Sequence, residues 1–432
     1  MVTRTQLNFE RSLSMHRRLL ELVPGGSQTT SKRATRFALG QYPIFASHGR
    51  GGRVWDVDGN EYVDFVMALG PITLGYCYPA VDEAIRAQLE QGIVYGLLAE
   101  VEVVAAEAIV AAVPCAEQVR FLKGGAEATS AAARIARAHT GRQKVANCGY
   151  RGWHDQWAVT RNDGGVPRAL TPYTLPFEYN SLTSLEAVLD ANRGEVAAVF
   201  VDPASGDVPA QGFLEGVRDL AHAHGALLVF DEIITGFRLA LGGAQEHYGV
   251  VPDMACFAKG IANGMPLAAV CGRRRVMQTA ERLAVSVTYG GEALSLAAAV
   301  AALREYRTRD VFAHNWRLGE RLMRGVDEAA SAAGVAFRCH GLAPMSAMSF
   351  QAATPNLEAL SWTYFLQEAA QRGVLFRRGG CNFIAYTHTE EDLDRAVAVA
   401  GDVLAALRRH LDAGSLPQAV QARAPEAGVR RR

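Results

Sequence analysis

The chain has 432 residues, with 49% hydrophobic and 20% charged residues, and so has ample apolar material for more than one globular core. Lys+Arg and Asp+Glu both number 44, so no net field draws the protein to nucleic acid or to an anionic membrane surface. The seven cysteines, Cys77, Cys115, Cys148, Cys256, Cys271, Cys339 and Cys381, contain no Cys-x-x-Cys pair and no zinc-like or disulfide-like spacing, and no metal site is expected.

The first residues are charged throughout and lack the apolar core of a secretory signal, and no run approaches the length of a membrane span. A cytoplasmic protein with reduced thiols is expected. An amphipathic helix is predicted over residues 8–22, ended by Pro24-Gly25-Gly26, which opens the polar loop SQTTSKRATRF. The segment GGRVWDVDGNEYVDFV alternates apolar and polar residues around Asp58-Gly59, a strong hairpin signal, and predicts a small β-meander.

From residue 80 to about 300, helical patterns alternate with the short apolar runs EQVRFL, QKVANC, VAAVFVD, ALLVFDE, MACFA and LAAVCG. This alternation predicts an α/β fold with a mostly parallel sheet flanked by helices, in which ligands bind at the carboxyl ends of the strands. A helix near 311–333 then leads into shorter segments, VAFRCH, MSAMSF, GVLF and NFIAYT, closed by the helix EEDLDRAVAVAGDVLAALRRHL. The expected organisation is an N-terminal segment (1–75), a large domain (76–325), a smaller α+β C-terminal domain (326–413) and a disordered tail (414–432).

The run ALLVFDEIITGFR carries a buried strand directly into Asp231-Glu232, where the sheet's ligands sit. A buried aspartate needs a cationic partner. One that fits is the protonated pyridine nitrogen of pyridoxal 5'-phosphate (PLP); the alternative is an aspartate that caps the next turn. In MACFAKGIANGMPL, Lys259 follows another apolar strand among small residues, and a lysine desolvated in this way becomes an imine-forming nucleophile. Lysine occurs elsewhere only at Lys32, Lys123 and Lys144, and Lys123, in VRFLKGGAEAT, is the one serious rival. That same run joins a strand to a helix through two glycines, so amides at the helix start can cradle a phosphate; a simple tight turn reads equally well. Tyr150 and Trp153 in CGYRGWHD could stack on a flat ring or belong to the core, and SVTYGGEAL offers the Thr288 hydroxyl and a further glycine pair.

These segments, in this order, resemble the class III, fold type I, PLP-dependent aminotransferases, nearest to the glutamate-1-semialdehyde 2,1-aminomutase-like branch. The likeness runs from PGG at 24–26 through WDVDGNEYVDF, GGAEAT, GYRGWHD, FDEIITGFR, GGAQEHYGVVPD and AKGIANGMPL to HTEEDLD at 388–394. The resemblance implies that Lys259 carries PLP as an internal aldimine and that Asp231 pairs with its ring nitrogen. It also implies phosphate binding by Gly124, Gly125 and Ala126, ring contacts from Tyr150, Asp202 and Ile234, and Thr288 reaching the phosphate of a neighbouring subunit in a homodimer.

The family's Ser-Gly-Thr phosphate loop reads Gly124-Gly125-Ala126 here, its Tyr-His-Gly reads Tyr150-Arg151-Gly152, and its Val-Glu-Pro reads Val201-Asp202-Pro203. Leu69-Gly70-Pro71 lacks the aminomutase tryptophan, and RRGGCNFIAYTHT stands where the aminomutase has its active-site glutamate; these substrate-facing changes argue against glutamate semialdehyde as substrate. Arg33, Arg377 and Arg378 are candidate substrate contacts, since a guanidinium binds a carboxylate in two-pronged fashion, although in an arginine-rich chain they also read as solvated cations; Trp153 is a further candidate substrate contact.

The expected reaction is ping-pong transfer of an amino group from a small-molecule donor to a carbonyl acceptor. The alternative is an aminomutase exchanging the two groups within one substrate, and a third reading is a PLP-fold protein that binds without turnover. A nucleotide-binding oxidoreductase would need Gly-x-Gly-x-x-Gly after the first strand, and that run is missing.

Overall fold

The computed structural model describes residues 7–161, 164–204 and 206–422, which form two compact units. One comprises Pro79–Phe312; the other is built from the chain up to Tyr78 and the chain from Ala313 onward.

The Pro79–Phe312 unit is organised by a seven-stranded sheet, in the order 118–122, 268–272, 254–257, 227–231, 196–201, 144–147, 174–176. Only Ala268–Gly272 runs antiparallel to its neighbours. The strands Val196–Val201, Leu227–Asp231 and Met254–Phe257 are buried along their whole length, which is why they read as unbroken apolar runs rather than alternating ones. The alanine-rich helix Gly125–Thr140 packs Ala128, Ala132, Ile135 and Ala136 into this core. All six predicted strands are present. The seventh, Thr174–Pro176, is a three-residue edge strand holding a proline, too short for a periodic signal.

In the other unit the helix Glu10–Leu22 precedes a meander of Ala46–Arg50, Arg53–Asp56 and Glu61–Asp64. Asp56 organises its turn, with Oδ1 accepting from the Asp58 and Asn60 amides at 3.0 and 2.8 Å and Oδ2 from the Tyr62 hydroxyl at 2.8 Å. The N-terminal segment and the C-terminal domain, expected as separate pieces, belong to this one unit. Glu61–Asp64 would otherwise end the sheet with an open row of amides and carbonyls, and Val374–Leu375 pairs with it in parallel. A three-stranded antiparallel sheet, Phe337–Leu342, Met345–Phe350 and Cys381–Phe383, and the helices Pro355–Ala370 and Glu390–Asp412 complete it.

The tail expected to be disordered from 414 is ordered as far as 422. A short helix, Leu416–Ala419, buries Leu416, and the Gln367 side chain donates to the Ala419 carbonyl at 2.9 Å and accepts from the Gln421 amide at 3.0 Å. The remaining tail residues lie outside the described residues. Among the described residues, no helix is long and apolar enough to cross a membrane.

Candidate active site

Strand register in the Pro79–Phe312 unit gathers the candidate residues at one edge of its sheet. Asp231 ends its strand opposite Cys256, three residues before Lys259. On the other side Phe230 pairs with Val201, so Asp202 emerges beside Asp231. Asn147 pairs with Phe200, and the loop of Tyr150, Arg151 and Gly152 leaves the sheet next to Asp202.

The centre of this edge is an ionic triad. The Arg151 side chain is fully buried; its Nη1 lies 2.9 Å from Asp202 Oδ1 and 3.1 Å from Asp231 Oδ2. Nη1 also donates to the Tyr150 carbonyl at 2.7 Å, and Nη2 donates to the Cys148 carbonyl. Asp231 Oδ1 accepts from the Ile233 amide at 3.1 Å. Burial and the neighbouring Asp202 charge push the Asp231 carboxyl up to about 6, against the opposing pull of Arg151, the Ile233 amide and Lys259. For Arg151, burial works against the charge, but Asp202 and Asp231 outweigh it and the guanidinium is held above its ordinary range. Two carboxylates thus share the Arg151 guanidinium, and Lys259 adds a second positive charge acting on Asp231.

Lys259 opens a short turn directly after the strand Met254–Phe257. Its φ is +47°, in the left-handed region that costs a non-glycine residue energy and that native proteins concentrate at functional positions. The turn is held by the Tyr306 hydroxyl, which donates to the Gly260 carbonyl at 2.7 Å. Lys123, the rival lysine, is committed elsewhere: its Nζ sits 2.9 Å from Glu292 Oε2.

The helix Gly125–Thr140 begins with Gly125 and Ala126, whose amides precede the first intrahelical acceptors and suit an anion. Glu127 satisfies the two amides just before them, Lys123 N at 2.8 Å and Gly124 N at 3.0 Å. Close packing ties this helix start to the rest of the edge. A Cβ on Gly125 would come within 2.7 Å of Ile233 Cδ1, and one on Gly152 within 2.6 Å of Ala126 Cβ.

Tyr150 is 41% exposed and Trp153 69% exposed, so both are surface aromatics rather than core; the Arg161 guanidinium lies 5.1 Å from the Tyr150 ring centre. Ile234 is half-buried beside Ile233, and Thr288 is exposed.

The other unit carries Arg33, Arg377 and Arg378, all half-buried. Arg378 Nη2 is 3.6 Å from Glu358 Oε1, and burial lowers its proton affinity. Arg33 lies against Gly25, and Arg377 against Gly380. What sequence reasoning did not assign is a role for Arg151; its only signal was a departure from the Tyr-His-Gly pattern. Among the described residues, no group of three or more His, Cys, Asp or Glu could hold a metal ion.

The donor set fits PLP: a buried carboxylate at a strand's carboxyl end, a lysine just past the neighbouring strand and a glycine-opened helix start. Comparison with known proteins agrees. The family model for class-III aminotransferases matches residues 37–403. The 3-aminobutyryl-CoA aminotransferase of Cloacimonas acidaminovorans is 36% identical over 417 residues, covering 94% of this chain and 99% of that protein. A glutamate-1-semialdehyde 2,1-aminomutase of Syntrophobacter fumaroxidans is 36% identical over 423 residues, covering 91% and 97%. Among solved structures, the PLP internal aldimine form of the Sphingopyxis sp. MTA144 FumI protein superposes with a TM-score of 0.89 at 27% identity, over 96% of this chain and 99% of that one. An omega-transaminase from Sphaerobacter thermophilus gives 0.86 at 26% identity, over 93% and 100%. The chain belongs to the class-III aminotransferases, PLP-dependent enzymes of fold type I that act on a small-molecule amino donor and a carbonyl acceptor.

Proposed function

We propose that this protein is a transaminase in which Lys259 binds PLP and moves the proton, and Asp231 holds the ring nitrogen. The observation that carries the reading is the buried Asp231 carboxylate, held by Arg151 at the end of the strand whose neighbour leads into Lys259. Bound PLP supplies an electrophilic carbonyl carbon and an electron-withdrawing ring. Asp231 accepts the ring N–H through its carboxylate and keeps that proton in place, which is electrostatic preorganisation in a dry site. Lys259 Nζ would take the proton from the donor's amino-bearing carbon and, as the resulting ammonium, give that proton back to complete the transfer. Gly125 and Ala126 would hold the phosphate through their amides, and Gly124, whose own amide is taken by Glu127, would leave the approach open; a loop without hydroxyls depends on the helix start alone. Tyr150 covers a ring face, with Asp202 and Ile234 lining the remainder.

The carboxylate of donor or acceptor is assigned to Arg33, Arg377 or Arg378, and Trp153 to the substrate's apolar part. Arg33 and Arg378 are the strongest of these, because Arg33 Nε and Arg378 Nη1 are each buried without a hydrogen-bond partner. The relative that acts on 3-aminobutyryl-CoA makes β-amino acids and their thioesters the first donors to screen. An aminomutase reading is supported by the relatives of that name; it requires one substrate to be both donor and acceptor, with no second amine consumed.

A homodimer is supported by the exposed apolar run of this unit, where Leu97 is 86% and Leu98 88% exposed, near Val103 and Val104. Patches of this kind mark protein interfaces, and in the dimer Thr288 would reach the partner's phosphate. Six of the seven cysteines are buried free thiols, which supports a cytoplasmic location.

Borohydride reduction of the PLP-loaded protein followed by peptide mass spectrometry tests the assignment. A phosphopyridoxyl group on Lys259 is the expected result. An adduct on Lys123, or none, would overturn it.

A further inference from the structure

Arg151 links three parts of the active edge. Its guanidinium bridges Asp202 and Asp231 at 2.9 and 3.1 Å and donates to the carbonyls of Cys148 and Tyr150, closing its own loop around itself. Its carbonyl accepts from the Thr129 hydroxyl at 2.7 Å, on the helix that starts at the phosphate loop. Gly149, at φ +82°, brings the backbone past the guanidinium and past Asp202.

The two carboxylates have different tasks. Were Asp231 the only anion facing Arg151, the pair would be closed and the carboxylate's hold on a ring proton weakened. Asp202 takes part of the guanidinium charge and adds its own repulsion, so Asp231 stays anchored while its carboxylate becomes a more basic acceptor for a ring proton.

We propose that Arg151 is a positioning residue that fixes Asp231 and the Tyr150 loop in one arrangement, and that Asp202 is its required counter-ion. This rests on Asp231 as the partner of the ring nitrogen. The groups facing Asp231 are Asp202 and Arg151, Lys259 from beyond the neighbouring strand end, and the thiol of Cys256; the Cys148 thiol faces Arg151 and Asp202, and burial pushes both thiols up.

The test is the affinity of the full-length apoprotein for pyridoxamine 5'-phosphate, which offers the same ring nitrogen and phosphate but forms no imine with Lys259. Arg151→Met and Asp202→Asn, made singly, each weaken binding about tenfold or more, and the double variant binds within about threefold of the weaker single variant, as coupled neighbours do. Losses that simply multiply in the double variant overturn the pairing. The pH profile separates positioning from mere structural support. The acidic fall in affinity moves up by about one pH unit in Arg151→Met, which removes a cation beside Asp231, and down in Asp202→Asn, which removes an anion. Profiles unmoved in both overturn the positioning role, and Asp202→Asn alone decides it if Arg151→Met does not fold. Asp231→Asn is the control: if it binds like the parent, the underlying ring-nitrogen reading fails; if it loses binding while the Arg151 and Asp202 variants do not, only the present proposal fails.

Discussion

Gly152→Ala probes how tightly the cofactor edge is packed. Gly152 has φ +122°, and a Cβ built there lies 2.6 Å from Ala126 Cβ and 2.9 Å from Ala126 Cα. Neither contact is with the far end of a flexible side chain, so the loop must separate from the helix start. Overpacking of this kind costs about 1–3 kcal/mol, and holding alanine at such a φ costs about 1–3 kcal/mol more. If half of that is relieved by displacement of the loop, about 1–3 kcal/mol of stability is lost, which for a unit of this size lowers the melting temperature by about 2–12 °C. The displaced loop carries Tyr150 and Arg151, and the displaced helix start carries Gly125 and Ala126, so PLP affinity falls as well. Differential scanning calorimetry of the apoprotein and PLP titration read the two effects. A variant that melts within about 1 °C of the parent and binds PLP equally well would refute the packing argument.

Lys259→Ala abolishes the borohydride-reducible adduct and turnover but leaves the left-handed residue in place, so Lys259→Gly melts higher than Lys259→Ala, by the equivalent of about 1–2 kcal/mol; equal melting would remove the strain from consideration. Glu232 is fully buried and accepts from the Thr235 hydroxyl at 2.5 Å and from the Ala244 and Gln245 amides at 2.8 and 2.9 Å. Glu232→Ala orphans these donors and costs about 3–5 kcal/mol in urea unfolding, whereas Glu232→Gln, which keeps an acceptor, costs less. The Asp231 carboxyl is raised to about 6 by burial and by Asp202, so its contribution to apoprotein stability is full below the unfolded carboxylate range and is lost as pH rises through about 6. Scanning fluorimetry of the apoprotein therefore shows the parent losing stability relative to Asp231→Asn between about pH 4 and 7, and parallel curves would contradict that shift.

The sheet was legible because its strands are buried on both faces and read as continuous apolar runs between glycines. Asp231 and Lys259 were legible for a related reason: each ends such a run, and neighbouring strands in a parallel sheet bring their ends together. What could not be read depends on long-range pairing. Thr174–Pro176 is a strand only because Lys144–Asn147 offers it an edge. Val374–Leu375 joins the meander only by pairing with Val63 and Asp64. Leu416 is a core residue only because Gln367 satisfies the backbone around it. Arg151 could be noticed as a departure but not given a task, since its partner Asp231 stands 80 residues along the chain.

The substrate arginines resist sequence reading for a different reason. Covalent chemistry demands particular residue types, and with four lysines in the chain there are few choices. Carboxylate binding demands only a guanidinium held in plane, and the other 40 basic residues are arginines. What separates a held arginine from a solvated one is the space around its fork, and here glycines provide that space. A Cβ at Gly25, φ +72°, would lie 2.9 Å from Arg33 Nε, and one at Gly380 would lie 2.6 Å from Arg377 Cζ. A side chain at either glycine would push the guanidinium out of its present plane, so the Pro24-Gly25-Gly26 and Gly379-Gly380 runs, which the sequence presents as turn signals, also define where two of the three candidate carboxylate anchors can stand.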